Sequence, residues 1–272
     1  MNIKYIFLTL LSITFYSCNS QEHIDFKVGY LPNHNYILTQ NIVSENNVKY
    51  IASDKILQKL KENGVENPTV TTETNYLKSI SKTGNLKSNR LPIEVEILDS
   101  SNPVLKKGSD VYGHTLNNKV KIDSITSTAL TDDRRKALMP AIESALQQIE
   151  YPSKVFRVGE SFEQESETSM SVAEETLLLK IKSKYTLGRI ENSTGYFSLI
   201  QEYVIESAPK DLEFEFSGYG TGQIQFDERL QFFTKFFLEM EMDLKMELKT
   251  FTIEVKTRNT TDQSTEVEKA SR

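Results

Sequence analysis

The chain has 272 residues, 32 Lys and Arg against 38 Asp and Glu, a net charge of −6 and a single cysteine. An acidic chain with no clustered basic face is a poor partner for nucleic acid, and one cysteine excludes an internal disulfide framework, so an apolar core must hold the fold. Hydrophobic content of 38% at a mean hydropathy of −0.42 supplies such a core beneath a well-solvated surface.

The N-terminus places Lys4 ahead of an apolar run from Tyr5 to Phe15, the charged and apolar regions of a secretory signal over residues 1–17. Spanning a bilayer takes about twenty apolar residues, and this run is too short. Ser17 then sets a small side chain immediately before Cys18. Phe15-Tyr16-Ser17-Cys18 resembles the lipobox of bacterial lipoproteins, which implies that Cys18 carries diacylglycerol; ordinary cleavage after Ser20 is the alternative. The resemblance makes the membrane a partner through that lipid and places the protein in the cell envelope, at the outer membrane, with the face left open. Residues 18–25 form a short linker; Asn19 to Asp25 reach roughly 23 Å when extended.

From Phe26 onward the apolar residues recur at period two, the signature of strands with one face on a core and one in water. Ile93, Val95 and Ile97 alternate with Glu94 and Glu96, and Leu177, Leu179, Ile181, Ser183, Tyr185 and Leu187 oppose Lys180, Lys182 and Lys184. From Phe236 to Leu248 every even position is apolar, and every odd position from Glu239 to Lys249 is charged. Phe251, Ile253 and Val255 carry the apolar pattern at odd positions, which requires a turn or a bulge at Lys249-Thr250. The pattern predicts a mainly β (α+β) chain: a long curved antiparallel sheet over 26–257. Two segments break the period. Residues 53–63 read as a short helix ended by Gly64, and 131–149 as the principal helix, N-capped by Thr131 and carrying Pro140, packed on the sheet.

Loose repetition points to two similar halves, 26–130 and 150–257, joined by that helix. Phe26-Lys27-Val28-Gly29 recurs as Phe156-Arg157-Val158-Gly159, the Tyr76 and Tyr185 segments look alike, and Tyr112-Gly113 matches Tyr219-Gly220. Residues 258–272 lack apolar periodicity and read as a disordered tail.

Few motifs carry chemistry. His23, His34 and His114 do not fall at the spacing of a zinc site, so no metal or cofactor is expected. Ser79-Ile80-Ser81-Lys82 and Lys82-Thr83-Gly84 match two motifs of penicillin-recognising enzymes, but those must come from separate elements and here share Lys82. Gly218-Tyr219-Gly220-Thr221-Gly222 runs into an alternating strand rather than a helix, so its glycines read as a bend or bulge instead of a phosphate loop. No catalytic residue is singled out. The remaining candidate is the stripe Phe232, Phe236, Leu238, Met240, Met242, Leu244, Met246 and Leu248, either plain core against the principal helix or the lining of an apolar ligand site; Phe232, Phe236, Leu238, Met240, Met242 and Met246 are the candidate lining residues.

Leu130 to Leu138, Tyr151 to Phe162, Tyr185-Thr186-Leu187 and Gly220 to Asp227 together resemble an uncharacterised family of Bacteroidota lipoproteins. The resemblance covers roughly residues 130–257, with Glu160 and Phe162 standing where that family has Asp and Trp. It implies a lipid-anchored envelope protein and transfers no catalytic residue. The expectation is a non-enzymatic envelope lipoprotein that binds an apolar ligand or serves a structural role; the alternatives are a hydrolase with a site assembled from scattered polar residues, and a surface protein that recognises another protein through its polar strand face.

Overall fold

The computed structural model describes residues 22–116, 119–128, 130–146, 151–172, 175–207 and 213–270; the export signal and Cys18 lie outside them. Eleven strands form one antiparallel sheet: β2 (His34–Ala52), β3 (Thr69–Thr83), β4 (Arg90–Ser100), β5 (Asp110–Leu116), β6 (Lys119–Thr126), β8 (Ser161–Val172), β9 (Glu175–Glu191), β10 (Thr194–Ser207), β11 (Glu213–Asp227), β12 (Phe232–Glu247) and β13 (Phe251–Lys269). Their order is β6-β5-β4-β3-β2-β13-β12-β11-β10-β9-β8. The short strands β1 (His23–Phe26) and β7 (Lys154–Arg157) pair with each other apart from it. Helix α1 (Asp54–Glu62) follows β2 and ends at Gly64, whose φ of 77° only a glycine adopts without strain. Helix α2 (Asp132–Leu146) follows β6.

The mainly β class, the long antiparallel sheet and both helices agree with the sequence expectation. The sheet is open, with β6 and β8 as its edges. The two halves are one continuous sheet, because β13 returns along the full length of β2, from Phe251↔Ala52 to Lys269↔His34. This overturns the disordered tail: residues 258–269 are strand. Period-two apolar patterning is weak there because Thr257, Asn259, Thr261 and Gln263 occupy the inward positions, and the segment is held by backbone pairing with β2 and β12. The 18–25 linker is also shorter than expected, since β1 already begins at His23.

Both apolar clusters lie on one face. Phe197, Ile224, Phe236, Gln263, Gln40 and Leu77 make a cross-strand row from β10 to β3. Its first two members belong to a cluster with Ile24, Phe26 and Phe156, and Leu77 packs on a second cluster of Ile93, Val95, Val111, Ile122 and Ile125.

That face is concave. The ring of Phe26 lies 5.4 Å from Phe162 on β8, 5.2 Å from Phe197 on β10, 4.7 Å from Phe226 on β11 and 6.0 Å from Phe233 on β12. In a flat sheet β8 and β12 stand four strand spacings apart, about 19 Å, so the sheet curls around Phe26. The glycines permit the curl. A Cβ at Gly218 would stand 2.7 Å from the Cβ of Tyr203, and one at Gly222 would strike the carbonyl oxygen of Phe237. Gly218, Gly220 and Gly222 line the concave face of β11, as the bend reading of this run requires.

Helix α2 does not pack on the β12 stripe. It covers β6 at the opposite edge, with Leu138, Met139 and Ile142 on the second cluster. Its Glu143 accepts a hydrogen bond of 2.9 Å from the backbone N–H of Ile122, closing part of a free sheet edge. What covers the start of the stripe is the β1–β7 pair. The repeated Phe26 and Phe156 segments therefore meet, Ile24 opposite Phe156. The other repeats, Tyr76 with Tyr185 and Tyr112 with Tyr219, each fall six strands apart. The first pair is not equivalent, because Tyr76 is half-buried on the convex face, opposite Asn41, and Tyr185 is buried on the concave one, opposite Leu199.

Phe26→Ala is expected to cost about 3–5 kcal/mol, the range for a fully buried phenylalanine; denaturant unfolding that shows a loss below 1 kcal/mol would contradict its place as the hub. Truncation after Thr257 removes the outer half of β13 and is expected to abolish cooperative unfolding, whereas an unaltered transition would restore the tail reading.

Candidate functional site

Beyond the Phe26 plug the long strands run on and leave the concave face of β9 to β13 and β2 as a trough. Residue parity and register place Leu38, Gln40 and Ile42 of β2, Thr257, Asn259 and Thr261 of β13, Leu238, Met240 and Met242 of β12, and Gln201 and Tyr203 of β10 on that face. Farther from the plug it becomes uniformly apolar with Leu177, Leu179, Leu244, Met246 and Ile253, all buried.

The stripe expected from sequence is split by this arrangement. Met246 is fully buried and Met240 nearly so. Phe236 and Leu238 are half-buried against the Phe26 cluster, while Met242 is half-buried beside Gly218. Phe232 leaves the row. A bulge opposite Gln225/Phe226 offsets the strand, so Phe233 joins Phe26 while the Phe232 ring packs at a tilt, 4.7 Å from Tyr36 and 5.3 Å from Tyr30. Phe236, Leu238, Met240, Met242 and Met246 thus share the concave face, and Phe232 packs on Tyr30 and Tyr36 instead.

A polar belt crosses the trough, and the apolar stripe gave no sign of it. Tyr203 donates its hydroxyl to Gln201 Oε1 at 2.7 Å, and Gln201 Nε2 donates to Ser183 Oγ at 3.0 Å. Gln40 donates to Gln263 at 3.1 Å and Thr257 to Asn46 at 2.9 Å. Burial pushes the Tyr203 hydroxyl up to about 12, so it stays a neutral donor at any physiological pH. Two buried acceptors of the belt, Asn259 Oδ1 and Thr265 Oγ1, have no hydrogen-bond partner among the described residues. The belt was missed because glutamines and threonines at inward strand positions read as surface.

The convex face carries rows of charge on β8, β9 and β12, with Ile200, Tyr219 and Phe237 exposed between them. Lys180, Lys182 and Lys184 of β9 stand opposite Glu167, Glu165 and Glu163 of β8, and Glu239, Glu241, Asp243, Lys245 and Glu247 alternate along β12. Lys180 binds Glu206 at 3.0 Å and Lys245 binds Glu215 at 3.0 Å.

The three histidines of the sequence lie apart from one another. His114 Nδ1 lies 3.0 Å from Asp123 Oδ2 and 2.9 Å from Arg90, in an ion-pair group on the β5–β6 hairpin with no nucleophile in contact. His34 Nδ1 contacts the carbonyl of Pro32. Among the described residues no three His, Cys, Asp or Glu side chains converge to hold a metal ion. The Ser79 and Ser81 side chains are buried in β3, and Lys82 is paired with Glu96 at 2.9 Å.

Asp227, at the end of β11, closes the turn into β12. Burial works against its charge. Hydrogen bonds from the Arg229 guanidinium and from the backbone N–H groups of Leu230 and Arg229 outweigh that and hold its carboxyl below the usual range. With the folded value lowered, its stabilisation is present above the unfolded pKa and is lost as pH falls through the folded one.

No family model matches the chain, and no curated protein matches it. Among solved structures it is similar to an outer membrane channel from Pseudomonas putida F1, at 8% identity over 89% of this chain and 98% of that one, with a TM-score of 0.25. It is also similar to Ail, the attachment invasion locus protein of Yersinia pestis, at 6% identity over 86% and 99% of the two chains, with a TM-score of 0.13. Overlap this slight assigns this chain neither their fold nor their activity.

Asp227→Asn is expected to lower stability at pH 7 by about 1 kcal/mol, since Arg229 is itself largely solvated. The difference from the unmodified protein should close as pH drops below the ordinary carboxylate range. Thermal melts across that window check the sign: a difference that widens on acidification refutes it.

Proposed function

We propose that this chain is a non-enzymatic envelope lipoprotein, anchored through Cys18, that holds a lipid-like ligand in the trough of its curled sheet. The observation that carries the reading is the contrast between the two faces. The convex side carries cross-strand ion pairs on β8, β9 and β12, whereas the concave side beyond the plug carries no charged side chain among those named above and has Met240, Met242 and Met246 on one strand. Unbranched, polarizable methionines suit irregular apolar surfaces that must adapt to a ligand. The belt of Tyr203, Gln201, Asn259 and Thr257 gives the same face hydrogen-bonding groups, so the matching ligand is amphipathic, a lipid with acyl chains and a polar head.

The anchor rests on the signal over residues 1–17, on the lipobox-like run ending in Cys18, and on the resemblance to envelope lipoproteins. It supports an outer membrane location with the domain held close to the bilayer.

The decisive experiment uses Asn19–Arg272 purified from bacteria, extracted and analysed by mass spectrometry for bound lipid, beside the Met242→Glu variant. Lipid bound stoichiometrically to the unaltered chain and depleted at least tenfold in the variant is the expected result, a charge in an apolar contact costing more than the roughly 1.4 kcal/mol of one decade. Protein that emerges free of lipid under native purification sinks the ligand reading. In the same cells, Cys18→Ser should move full-length protein from the membrane to the soluble fraction.

A further inference from the structure

The plug end carries a surface of opposite character to the rest of the chain. Three segments meet there: the strap from β1 to β2 (residues 27–33), the β3–β4 loop (84–89) and the adjoining ends of β5 and β6 (115–116 and 119–121). Thr83 Oγ1 ties strap to loop, donating to the Leu31 carbonyl at 2.7 Å, and the Tyr36 hydroxyl accepts from Leu31 N–H at 2.6 Å, so the strap is fixed. The segments enclose a cleft of about 620 Å³ lined by Lys27 to Pro32, Leu86, Asn89, Leu91, Thr115 and Gln231. Within a chain of net charge −6, none of these three segments contains an Asp or Glu, while they carry Lys27, Lys87, Lys119 and Lys121. Leu86 and Leu116 stand out from the rim, 55% and 44% exposed, and Arg90 lies between their strands, opposite Leu116. The carboxylates beside it are engaged: Asp123 with Arg90 and His114, Glu143 with Lys121 at 3.3 Å, and Glu228 as acceptor from the Asp25 N–H at 2.8 Å.

We propose that this basic, leucine-tipped rim docks the domain end-on against an anionic phospholipid bilayer. The inference rests on the reading of Cys18 as the lipid anchor. Chain length supplies the geometry: His23, where β1 begins, follows Cys18 by five residues, at most about 17 Å, and β1 lies across this same end of the sheet. Helix α1 sits beyond the far end of β2, whose 19 residues span roughly 60 Å, well outside the tether's reach. Electrostatics selects the orientation. The acid-rich convex face of β12 is repelled by an anionic surface, whereas basic residues near such a surface each attract it by about 1 kcal/mol, a factor of about five. Leu86 and Leu116 then enter the interface beside the anchor's acyl chains, and the trough points away from the bilayer.

The test uses full-length lipoprotein, its diacylglyceryl Cys18 verified by mass and therefore not available to thiol reagents. Leu86→Cys, Leu116→Cys and, as the distant control, Lys59→Cys variants carry an environment-sensitive nitrobenzoxadiazole label. They are reconstituted in vesicles of phosphatidylethanolamine and phosphatidylglycerol. A blue shift at positions 86 and 116 but not at 59, reversed by Lys27→Glu with Lys87→Glu, is the expected result. Labels at 86 and 116 that stay in water on a chain of verified lipidation overturn the docking surface and leave the anchor intact. If the mass shows no lipid on Cys18, the anchor reading fails, and the same labels with added vesicles decide the surface alone: a shift supports it, and none overturns it.

Discussion

One phenyl ring sets the shape of this protein. Phe26 touches aromatic side chains from β8, β10, β11 and β12 at once, which a flat sheet forbids. Strand twist alone gives a large open sheet a propeller shape; here the β1–β7 pair gives the sheet something to wind around. Each aromatic edge or tilted contact adds only about 0.5–1.5 kcal/mol beyond its area. Convergent on one residue, several such contacts turn a gradual curl into a fixed one. The glycines of β11 make room for it, and the concave trough follows.

The same constraint separates the two faces. Inside the curl, side chains from non-adjacent strands meet, so bulk and apolarity are useful near the plug. Farther out, the strands carry mixed apolar and amide groups. Outside, neighbours diverge, and long charged side chains lie over the strands in cross-strand pairs such as Lys180 with Glu206 and Lys245 with Glu215. Exposed pairs of this kind stabilise little individually; their larger effect is to keep the convex face in water. The edges are managed differently. Glu143 of α2 accepts from the free edge of β6, while β8 presents Glu163, Glu165 and Glu167 along its length, a row that discourages pairing with a second copy.

On the proposed reading, the trough and the rim are parts of one object standing on a membrane. The rim is basic and apolar where the chain emerges from its anchor; the trough is apolar and shielded by a charged exterior. A lipid-handling protein needs both features, a foothold on the bilayer and an apolar path that does not itself dissolve in it.

Local pattern determined much of this by itself. Alternation at period two follows from strand geometry, so β4, β9, β12, the break at Lys249-Thr250 and the charged convex faces of β9 and β12 were legible residue by residue, as was α1 with its terminating Gly64. The candidate stripe was also correctly placed on one face from Phe236 to Met246. Other features depend on which strands become neighbours, and no local pattern records that. Residues 258–269 look like a polar tail until β2 and β12 pair with them on either side, because backbone hydrogen bonding needs no apolar signature. Phe232 was grouped with the stripe because a one-residue bulge at the start of β12 is invisible to periodicity. The partner of the stripe was taken to be the long helix, since amphipathic elements must cover something, but α2 went to the opposite edge and a four-residue strand took the place over the aromatic end. The glycine run, read as a bend, proved to be the inner lining of the curl. Sequence fixes what each face is made of; only tertiary pairing, through distances between strands far apart in the chain, decides which faces close on one another.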